Sequence, residues 1–126
     1  MAGHTLLLLE DDEPLREYYS LSLQAHHYEV IQADNSKDIL KLVERYQPAL
    51  IITDLVMPDH DGLEGIFKLI SEYKIPVIVI SAYPEFIQLA KPVVATTYVK
   101  PLSADALVRA VENILNPRTH AQQNGK

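Results

Sequence analysis

Six side chains with the chemistry to handle a metal ion and a phosphate group directly follow short apolar runs of the sequence. They are Glu10, Asp11, Asp12, Asp54, Ser81 and Lys100. Carboxylates brought close together repel one another unless a cation lies between them, and an all-oxygen, acid-rich site suits a hard ion such as Mg²⁺. A lysine and a hydroxyl beside that ion would complete a cradle for the oxygens of a transferring phosphoryl group. Asp54 can then be the nucleophile that forms an aspartyl phosphate.

Each of these residues has a more ordinary interpretation when it is taken alone. An acidic run is common in the first turn of a helix, where it interacts favourably with the helix dipole. Asp54 by itself is typical of a loop cap, Ser81 of a structural residue, and Lys100 of a solvated surface charge. The functional interpretation therefore depends on their joint placement at the ends of strands.

Five short apolar runs are predicted to be the strands that position these side chains. They span residues 5–9, 28–33, 49–53, 77–80 and 97–99. The third and fourth runs, ALIIT and VIVI, are apolar at consecutive positions, which is typical of strands buried on both faces of a parallel sheet. In such open sheets the ligand site lies beyond the carboxyl ends of the strands, where the six side chains stand.

Amphipathic segments alternate with these runs and are predicted to be helices. They span residues 14–26, 36–46, 63–73, 85–91 and 103–115. We expect Asn35 or Ser36 to cap the second helix and Ser103 the fifth. The tyrosines on these segments and beside them are expected to pack at the edge of the core. Strand–helix alternation of this kind predicts an α/β fold with a central parallel sheet and helices on both faces.

Composition limits the class of protein further. The 126 residues suit one domain, and a cysteine count of zero excludes disulfide scaffolds, cysteine zinc sites and thiol catalysis. A net charge of −6 argues against a basic surface that binds nucleic acid directly. No apolar run approaches the ~20 residues of a membrane span, and no secretory cleavage pattern is seen. We therefore expect no membrane association and a cytoplasmic location.

These motifs, in this order, resemble the receiver domains of response regulators in two-component signalling over residues 5–115. The motifs that carry the resemblance are LLLLEDDEP with Arg16, IITDLVMPDHDG, IVISA and YVKP. The resemblance implies a flavodoxin-like, doubly wound (βα)5 fold with strand order 2-1-3-4-5. It implies a receiver domain over residues 1–115, and the polar composition of residues 116–126 predicts a flexible C-terminal tail.

The resemblance also implies roles for the acids. Asp54 resembles the phosphoacceptor, and Asp11 the carboxylate that binds Mg²⁺ directly. A second acid would act through water, and either Glu10 or Asp12 could be that acid. Arg16 lies six residues after Glu10, which is the family's usual spacing from the first acid of the pair. That spacing favours Glu10, with Asp12 as the alternative.

The remaining roles follow the same resemblance. The backbone carbonyl of Val56 would be a further metal ligand. Ser81 resembles the switch hydroxyl, and Lys100 the lysine that pairs with the phosphoryl group. Pro101 resembles the proline that the family carries after a cis peptide bond, an isomer tolerated chiefly before proline. Tyr98 is the candidate for the aromatic switch residue.

Two features depart from the family pattern. Lys100 follows Ser81 by only 19 positions, so the fourth helix is expected to be short, displaced or irregular. Tyr98 precedes Lys100 by two positions, and Thr97 occupies the place of the family's aromatic residue. Since an offset of one residue turns a strand side chain to the other face, either a bulge restores the geometry or Tyr98 only packs.

Val56 and Tyr83 occupy the two positions that flank the approach of water to the phosphoryl group in this family. Both are bulky, and neither side chain can activate water as a carboxylate or amide would. We therefore expect slow hydrolysis of the phosphoryl group.

The implied function is that of a phosphoacceptor domain, which is not an enzyme but assists its own phosphoryl transfer and dephosphorylation. A sensor histidine kinase or a histidine phosphotransfer protein would donate the phosphoryl group in the presence of Mg²⁺. The switched surface would then contact a downstream protein target. A homodimer is a further partner that the resemblance allows. An aspartate-dependent phosphatase is disfavoured because Val56 stands where its second aspartate is needed. A nucleotide-binding module is disfavoured because no Gly-x-Gly-x-x-Gly motif follows the first strand.

Overall fold

The computed structural model describes residues 4–54 and 62–116, with side chains described from Phe67 onward in the second range. The predicted tail beyond residue 116 and the segment that contains Val56 lie outside these residues. Within them the chain forms five strands and five helices: β1 (Thr5–Leu9), α1 (Glu13–Ala25), β2 (Glu29–Ala33), α2 (Ile39–Tyr46), β3 (Leu50–Thr53), α3 (Gly62–Tyr73), β4 (Val77–Ser81), α4 (Pro84–Ala90), β5 (Thr96–Val99) and α5 (Ala104–Leu115).

The strands form a parallel sheet in the order β2-β1-β3-β4-β5, which confirms the predicted doubly wound, flavodoxin-like topology. β1 lies between β2 and β3, and Leu9 at its end is the register partner of Thr53 at the end of β3. The residues that follow these two partners, Glu10 and Asp54, therefore emerge side by side at the carboxyl edge of the sheet. Sheet pairing between β1 and β3 is thus what brings two chain-distant acids together.

The leucines of β1 show why helices cover both faces of the sheet. Leu6 and Leu8 pack with buried residues of α1 and α5, whereas Leu7 and Leu9 pack with those of α2, α3 and α4. All four are at most 1% exposed. Because strand side chains alternate between faces, a continuous apolar run requires cover on both sides. Burial of one such side chain contributes roughly 1.5–3 kcal/mol.

The start of α2 differs from the prediction. The helix begins at Ile39, and its N-cap residue Asp38 makes no side-chain capping bond. Asn35 instead accepts a hydrogen bond from the Lys37 amide on its Oδ1 at 2.8 Å. This local turn competes with the helical conformation, so the predicted caps Asn35 and Ser36 are wrong. The predicted cap of α5 is confirmed, since the Ser103 hydroxyl accepts a hydrogen bond from the Ala106 amide at 3.0 Å.

The fourth helix is as short as the spacing predicts. α4 has seven residues and begins with Pro84 in its first turn. It ends at Ala90, two residues before Pro92, which has no N–H to donate to a further helical hydrogen bond. A short connection then leads directly into β5, so Lys100 reaches the carboxyl edge of the sheet through a brief α4–β5 segment.

Candidate functional site

Three carboxylates meet at the carboxyl edge of the sheet. Oxygen atoms of Glu10, Asp11 and Asp54 all lie within 4.8 Å of one another. Glu10 and Asp54 are buried, with 2% and 4% of their surfaces exposed, while Asp11 is exposed. The donor set consists of carboxylate oxygens alone, which fits a hard divalent ion such as Mg²⁺. Because Asp11 faces solvent, a hydrated ion could reach the cluster from its side.

Lys100 is placed against the two buried acids. Its Nζ lies 2.7 Å from Asp54 Oδ2 and 3.1 Å from Glu10 Oε1, and its side chain is only 19% exposed. With three ionised carboxylates and one ammonium, the cluster carries a net charge of −2. Lys100 therefore keeps the acids together without neutralising them, and the excess negative charge matches a divalent cation.

The titration of the cluster reflects this balance. Burial raises the pKa of Glu10 above its ordinary value, against the hydrogen bonds from the Asp12 amide and from Lys100, which lower it. Burial acts in the opposite direction on Lys100, but hydrogen bonds and charge interactions with Asp54 and Glu10 outweigh it and raise the pKa of Lys100. The ammonium form of Lys100 is thus held in place by the acids.

A pH dependence of stability follows from Lys100. Because its pKa is raised above 10.5 in the folded state, the folded chain binds this proton more tightly than the unfolded chain. The stabilisation is fully present below pH 10.5 and is lost as the pH rises through the folded-state pKa. We expect the stability difference between wild type and Lys100→Met to shrink as the pH rises above 10.5, in urea unfolding with a chelator present.

The comparison is internally controlled, because every titratable group other than Lys100 is present in both proteins over this alkaline range. A difference in unfolding free energy that stays constant across it would contradict the prediction.

Backbone contacts hold Glu10 in the cluster. Glu10 Oε2 accepts a hydrogen bond from the Asp12 amide at 3.1 Å, and the guanidinium of Arg16 donates to the Glu10 carbonyl at 2.7 Å. Asp12 itself is the exposed N-cap residue of α1 and is not part of the carboxylate group. The geometry thus brings Glu10, rather than Asp12, beside Asp11 and Asp54.

Ser81 lies at the end of β4, fully buried. Its Oγ accepts a hydrogen bond from the Tyr83 amide at 3.1 Å, and its carbonyl accepts one from the Lys100 amide at 2.9 Å. Ser81 and Lys100 are therefore joined through the backbone at neighbouring strand ends. The Tyr83 side chain is 45% exposed, and its ring meets the Phe86 ring edge-on at 6.0 Å.

Tyr98 and Ser81 lie on opposite faces of the sheet. The β4–β5 register runs without a bulge, pairing Val79 with Thr97 and Ser81 with Val99. Tyr98 packs against the core beneath α1 and α5, whereas Thr97 shares the face of Val79 and Ser81 by strand alternation. Of the two alternatives that the sequence leaves open, the structure shows packing, and a switch role for Tyr98 stays a prediction. After β5, the Lys100–Pro101 peptide bond is cis.

Two tyrosines of α1 have contacts that the sequence did not indicate. Tyr19 donates a hydrogen bond to the Leu102 carbonyl at 2.9 Å, and Tyr18 accepts one from the Ala104 amide at 3.1 Å. Sequence reasoning predicted only packing at the core edge for both. Their partners lie 83 and 86 residues away, so no local pattern could have revealed them.

No helix among residues 4–54 and 62–116 has both the length and the apolar character needed to cross a bilayer.

Fold and site together define a doubly wound α/β protein whose carboxyl edge carries an acid cluster suited to a metal ion, with a lysine beside it. The family model of the response regulator receiver domain matches residues 6–112. The chain therefore belongs to the response regulator receiver domain family, which confirms the resemblance found in the sequence.

Curated relatives and solved structures agree with this assignment. The chain is 33% identical over 113 residues to an uncharacterised response regulatory protein of Vibrio cholerae, covering 85% of this chain and 43% of that protein. It is 32% identical over 120 residues to histidine kinase P4 of Formosa agariphila, covering 90% of this chain and 9% of that protein. The chain thus spans less than half the length of these two relatives.

Two solved structures of similar length share the fold. The chemotaxis protein CheY4 of Vibrio cholerae is 28% identical, with a TM-score of 0.78 over 90% of this chain and 99% of that one. The response regulator TrrA of Thermotoga maritima, solved in complex with Mg²⁺ and BeF, is 26% identical, with a TM-score of 0.80 over 89% of this chain and 99% of that one.

Proposed function

We propose that this chain is a phosphoacceptor that takes a phosphoryl group on Asp54 and thereby switches a protein-interaction surface. The observation that carries this proposal is the environment of Asp54. Its carboxylate is buried directly after β3 and lies 2.7 Å from the Lys100 ammonium. It also lies within 4.8 Å of carboxylate oxygens of Glu10 and Asp11, a spacing at which one metal ion could bind all three. The proposed nucleophile Asp54, a candidate cation site and the positive charge of Lys100 therefore lie next to one another.

We assign the following roles to the chain's own groups on the contacts above and on the family resemblance. An oxygen of Asp54 attacks the phosphorus of a phosphohistidine and forms the P–O bond as the P–N bond breaks. The electron pair of that bond stays on the donor's ring nitrogen, and the histidine, which carries a proton on its other ring nitrogen, leaves as neutral imidazole. Glu10, Asp11 and Asp54 would hold Mg²⁺, with the Val56 carbonyl as a further proposed ligand. Mg²⁺ would supply charge neutralisation for the phosphoryl oxygens. The Lys100 ammonium, which pairs with the Asp54 carboxylate before transfer, would then pair with the phosphoryl group. The Ser81 hydroxyl would donate a hydrogen bond to one of the phosphoryl oxygens.

Partners and boundaries belong to the same proposal. The donor is a sensor histidine kinase or a histidine phosphotransfer protein, and the output is a downstream protein, with homodimerisation as a further form of output. We place the receiver domain over residues 1–115, in the cytoplasm. The Mg²⁺–BeF complex of TrrA, a relative by fold and sequence, supports the same metal and phosphoryl chemistry in this chain.

Acetyl phosphate provides the test of the proposed function without a cognate kinase. The purified chain is incubated with acetyl phosphate and Mg²⁺, and its intact mass is measured with and without a chelator. We expect a gain of one phosphoryl group that requires the metal and is removed by hydroxylamine, as an acyl phosphate should be. No mass gain in the presence of Mg²⁺, or a gain that resists hydroxylamine, would contradict the proposal.

The lifetime of the phosphoryl group gives a further prediction. The Tyr83 side chain is bulky and has no group that activates water. Val56, at the other flanking position, is expected to shield the phosphoryl group in the same way. Phosphate release from the phosphorylated chain, followed after removal of the donor, should therefore take many minutes. Tyr83→Glu should shorten the lifetime several-fold because a carboxylate can orient and activate water.

Tyr83→Phe is the matched control for this prediction and should leave the lifetime close to that of wild type. Loss of the wild-type phosphoryl group within seconds would count against slow hydrolysis.

A further inference from the structure

The loop that joins β5 to α5, together with the first residue of α5, is fastened to α1 by two tyrosine hydroxyls. This loop, residues 100–103, begins with Lys100. Tyr19 donates to the Leu102 carbonyl at 2.9 Å, and Tyr18 accepts from the amide of Ala104, the first residue of α5, at 3.1 Å. The two tyrosines differ in exposure, since Tyr19 is 1% exposed and Tyr18 is 49% exposed.

Residues 100–102 are thereby held at both ends. At one end, the Lys100 amide donates to the Ser81 carbonyl at 2.9 Å, which ties it to β4. At the other end, the Tyr19 hydroxyl holds the Leu102 carbonyl, and the Leu102 side chain packs against the same core as the Tyr19 ring. The backbone from which the Lys100 side chain extends toward Glu10 and Asp54 therefore has little freedom to shift.

The Tyr19 hydroxyl is also suited to remain a donor. Burial raises the pKa of Tyr19, against the positive charge of Lys100, which lowers it. The phenol consequently stays protonated at ordinary pH. Because the ring is buried, water does not readily replace a lost hydroxyl, and the carbonyl would lose its partner on this side.

We propose that Tyr19 is a positioning residue that acts through Lys100: its hydrogen bond to the Leu102 carbonyl sets the position from which the ammonium meets Asp54. This role rests on the proposed function, because the reaction it serves is phosphoryl transfer to Asp54. The Tyr19 hydroxyl donates to the loop rather than to the group that it positions.

Tyr19→Phe is the direct test, since it removes only the hydroxyl and keeps the ring in the core. We expect the rate constant for acetyl phosphate at saturating Mg²⁺ to fall about three- to tenfold, because a small misplacement of a catalytic group slows a reaction markedly. The dissociation constant for Mg²⁺, measured by NMR titration, should stay within about twofold, because the acids are held by β1 and β3 rather than by the loop. A general loss of packing would change both the rate constant and the dissociation constant for Mg²⁺.

Two comparisons show whether the effect passes through Lys100. Tyr18→Phe removes a hydroxyl from the neighbouring residue, and its rate should stay close to wild type because that hydroxyl bonds to Ala104 of α5 rather than to residues 100–102. Adding Tyr19→Phe to Lys100→Met should produce no further loss of rate, since the group being positioned is already absent. A full additional loss in the double variant would overturn the proposal, as would a Tyr19→Phe rate equal to that of wild type.

The positioning role and the proposed function fail in different ways. A wild-type chain that takes up neither a phosphoryl group nor beryllofluoride contradicts the proposed function. The positioning role is then still judged by hydrogen exchange of the Lys100 amide, measured without a phosphodonor. Faster exchange of this amide in Tyr19→Phe than in Tyr18→Phe supports it, and equal exchange in the two variants overturns it.

Discussion

Replacement of Asp54 by asparagine is expected to reduce phosphoryl uptake from acetyl phosphate to below about 1% of the wild-type level, because the amide lacks the anionic oxygen that attacks phosphorus. The substitution keeps the size of the side chain and its place at the end of β3. It also removes one of the three carboxylates that lie within 4.8 Å of one another, so the affinity for Mg²⁺ should fall as well. Intact mass after incubation with Mg²⁺ and acetyl phosphate measures the uptake.

Asp12→Asn is the matched control for this experiment. Asp12 is an aspartate of the same acidic edge, but it is exposed at the start of α1 and outside the carboxylate group. We expect its uptake to remain close to wild type. A mass gain that survives Asp54→Asn would place the nucleophile elsewhere and refute the assignment of Asp54.

Replacement of Lys100 by methionine is expected to have two large effects. Phosphoryl transfer should slow about a hundredfold, since one preorganised positive group is lost from the site. Without Mg²⁺, the free energy of unfolding at neutral pH should fall by about 3 kcal/mol, because removing one partner leaves buried charges uncompensated. Rates from mass spectrometry and urea unfolding curves measure the two quantities.

The stability effect follows from the burial of the partners of Lys100. The carboxylates of Glu10 and Asp54 are 3% and 5% exposed, and the ammonium is their salt-bridge partner at 3.1 and 2.7 Å. Without it, the acids repel one another in a poorly solvated place, and Glu10, whose pKa burial already raises, should take up a proton more readily. Mg²⁺ should restore part of the lost stability, because a cation bound only by the folded state stabilises it.

Lys41→Met is the matched control for the Lys100 variant. Lys41 lies on the exposed face of α2, so removal of its charge should change stability by less than about 0.5 kcal/mol. A Lys100→Met protein as stable as the Lys41→Met protein would show that the ammonium does not compensate the buried acids. A wild-type rate of phosphoryl transfer in Lys100→Met would show that Lys100 takes no part in the reaction.

These two predictions describe one arrangement of charge. The site keeps two buried carboxylates and an exposed one around a single lysine, at a net charge of −2 without a metal. We expect such a cluster to cost stability on its own and to gain it if a divalent cation binds. Its excess negative charge is suited to a divalent cation, and that cation would also have to offset the charge of an incoming phosphoryl group.

Much of the fold could be read from the sequence because the signals are local. Consecutive apolar residues such as Ile51 and Ile52 predict a strand buried on both faces, and the spacing of apolar positions on the segments between strands predicts helices. The acids at 10–12, Asp54, Ser81 and Lys100 could be found in the same way, since parallel strands bring their carboxyl ends to one edge. The start of α2 escaped prediction because a turn at Asn35 competes with the helix over a few residues.

Only the tertiary structure decided how these groups meet. It placed Glu10 in the cluster through the register of β1 with β3, and turned Tyr98 to the face opposite Ser81 through the register of β4 with β5. It joined the Tyr19 hydroxyl to a carbonyl 83 residues away. Residue types and strand ends are local properties of the chain, whereas contacts of a few ångströms between distant segments depend on how every strand and helix packs together.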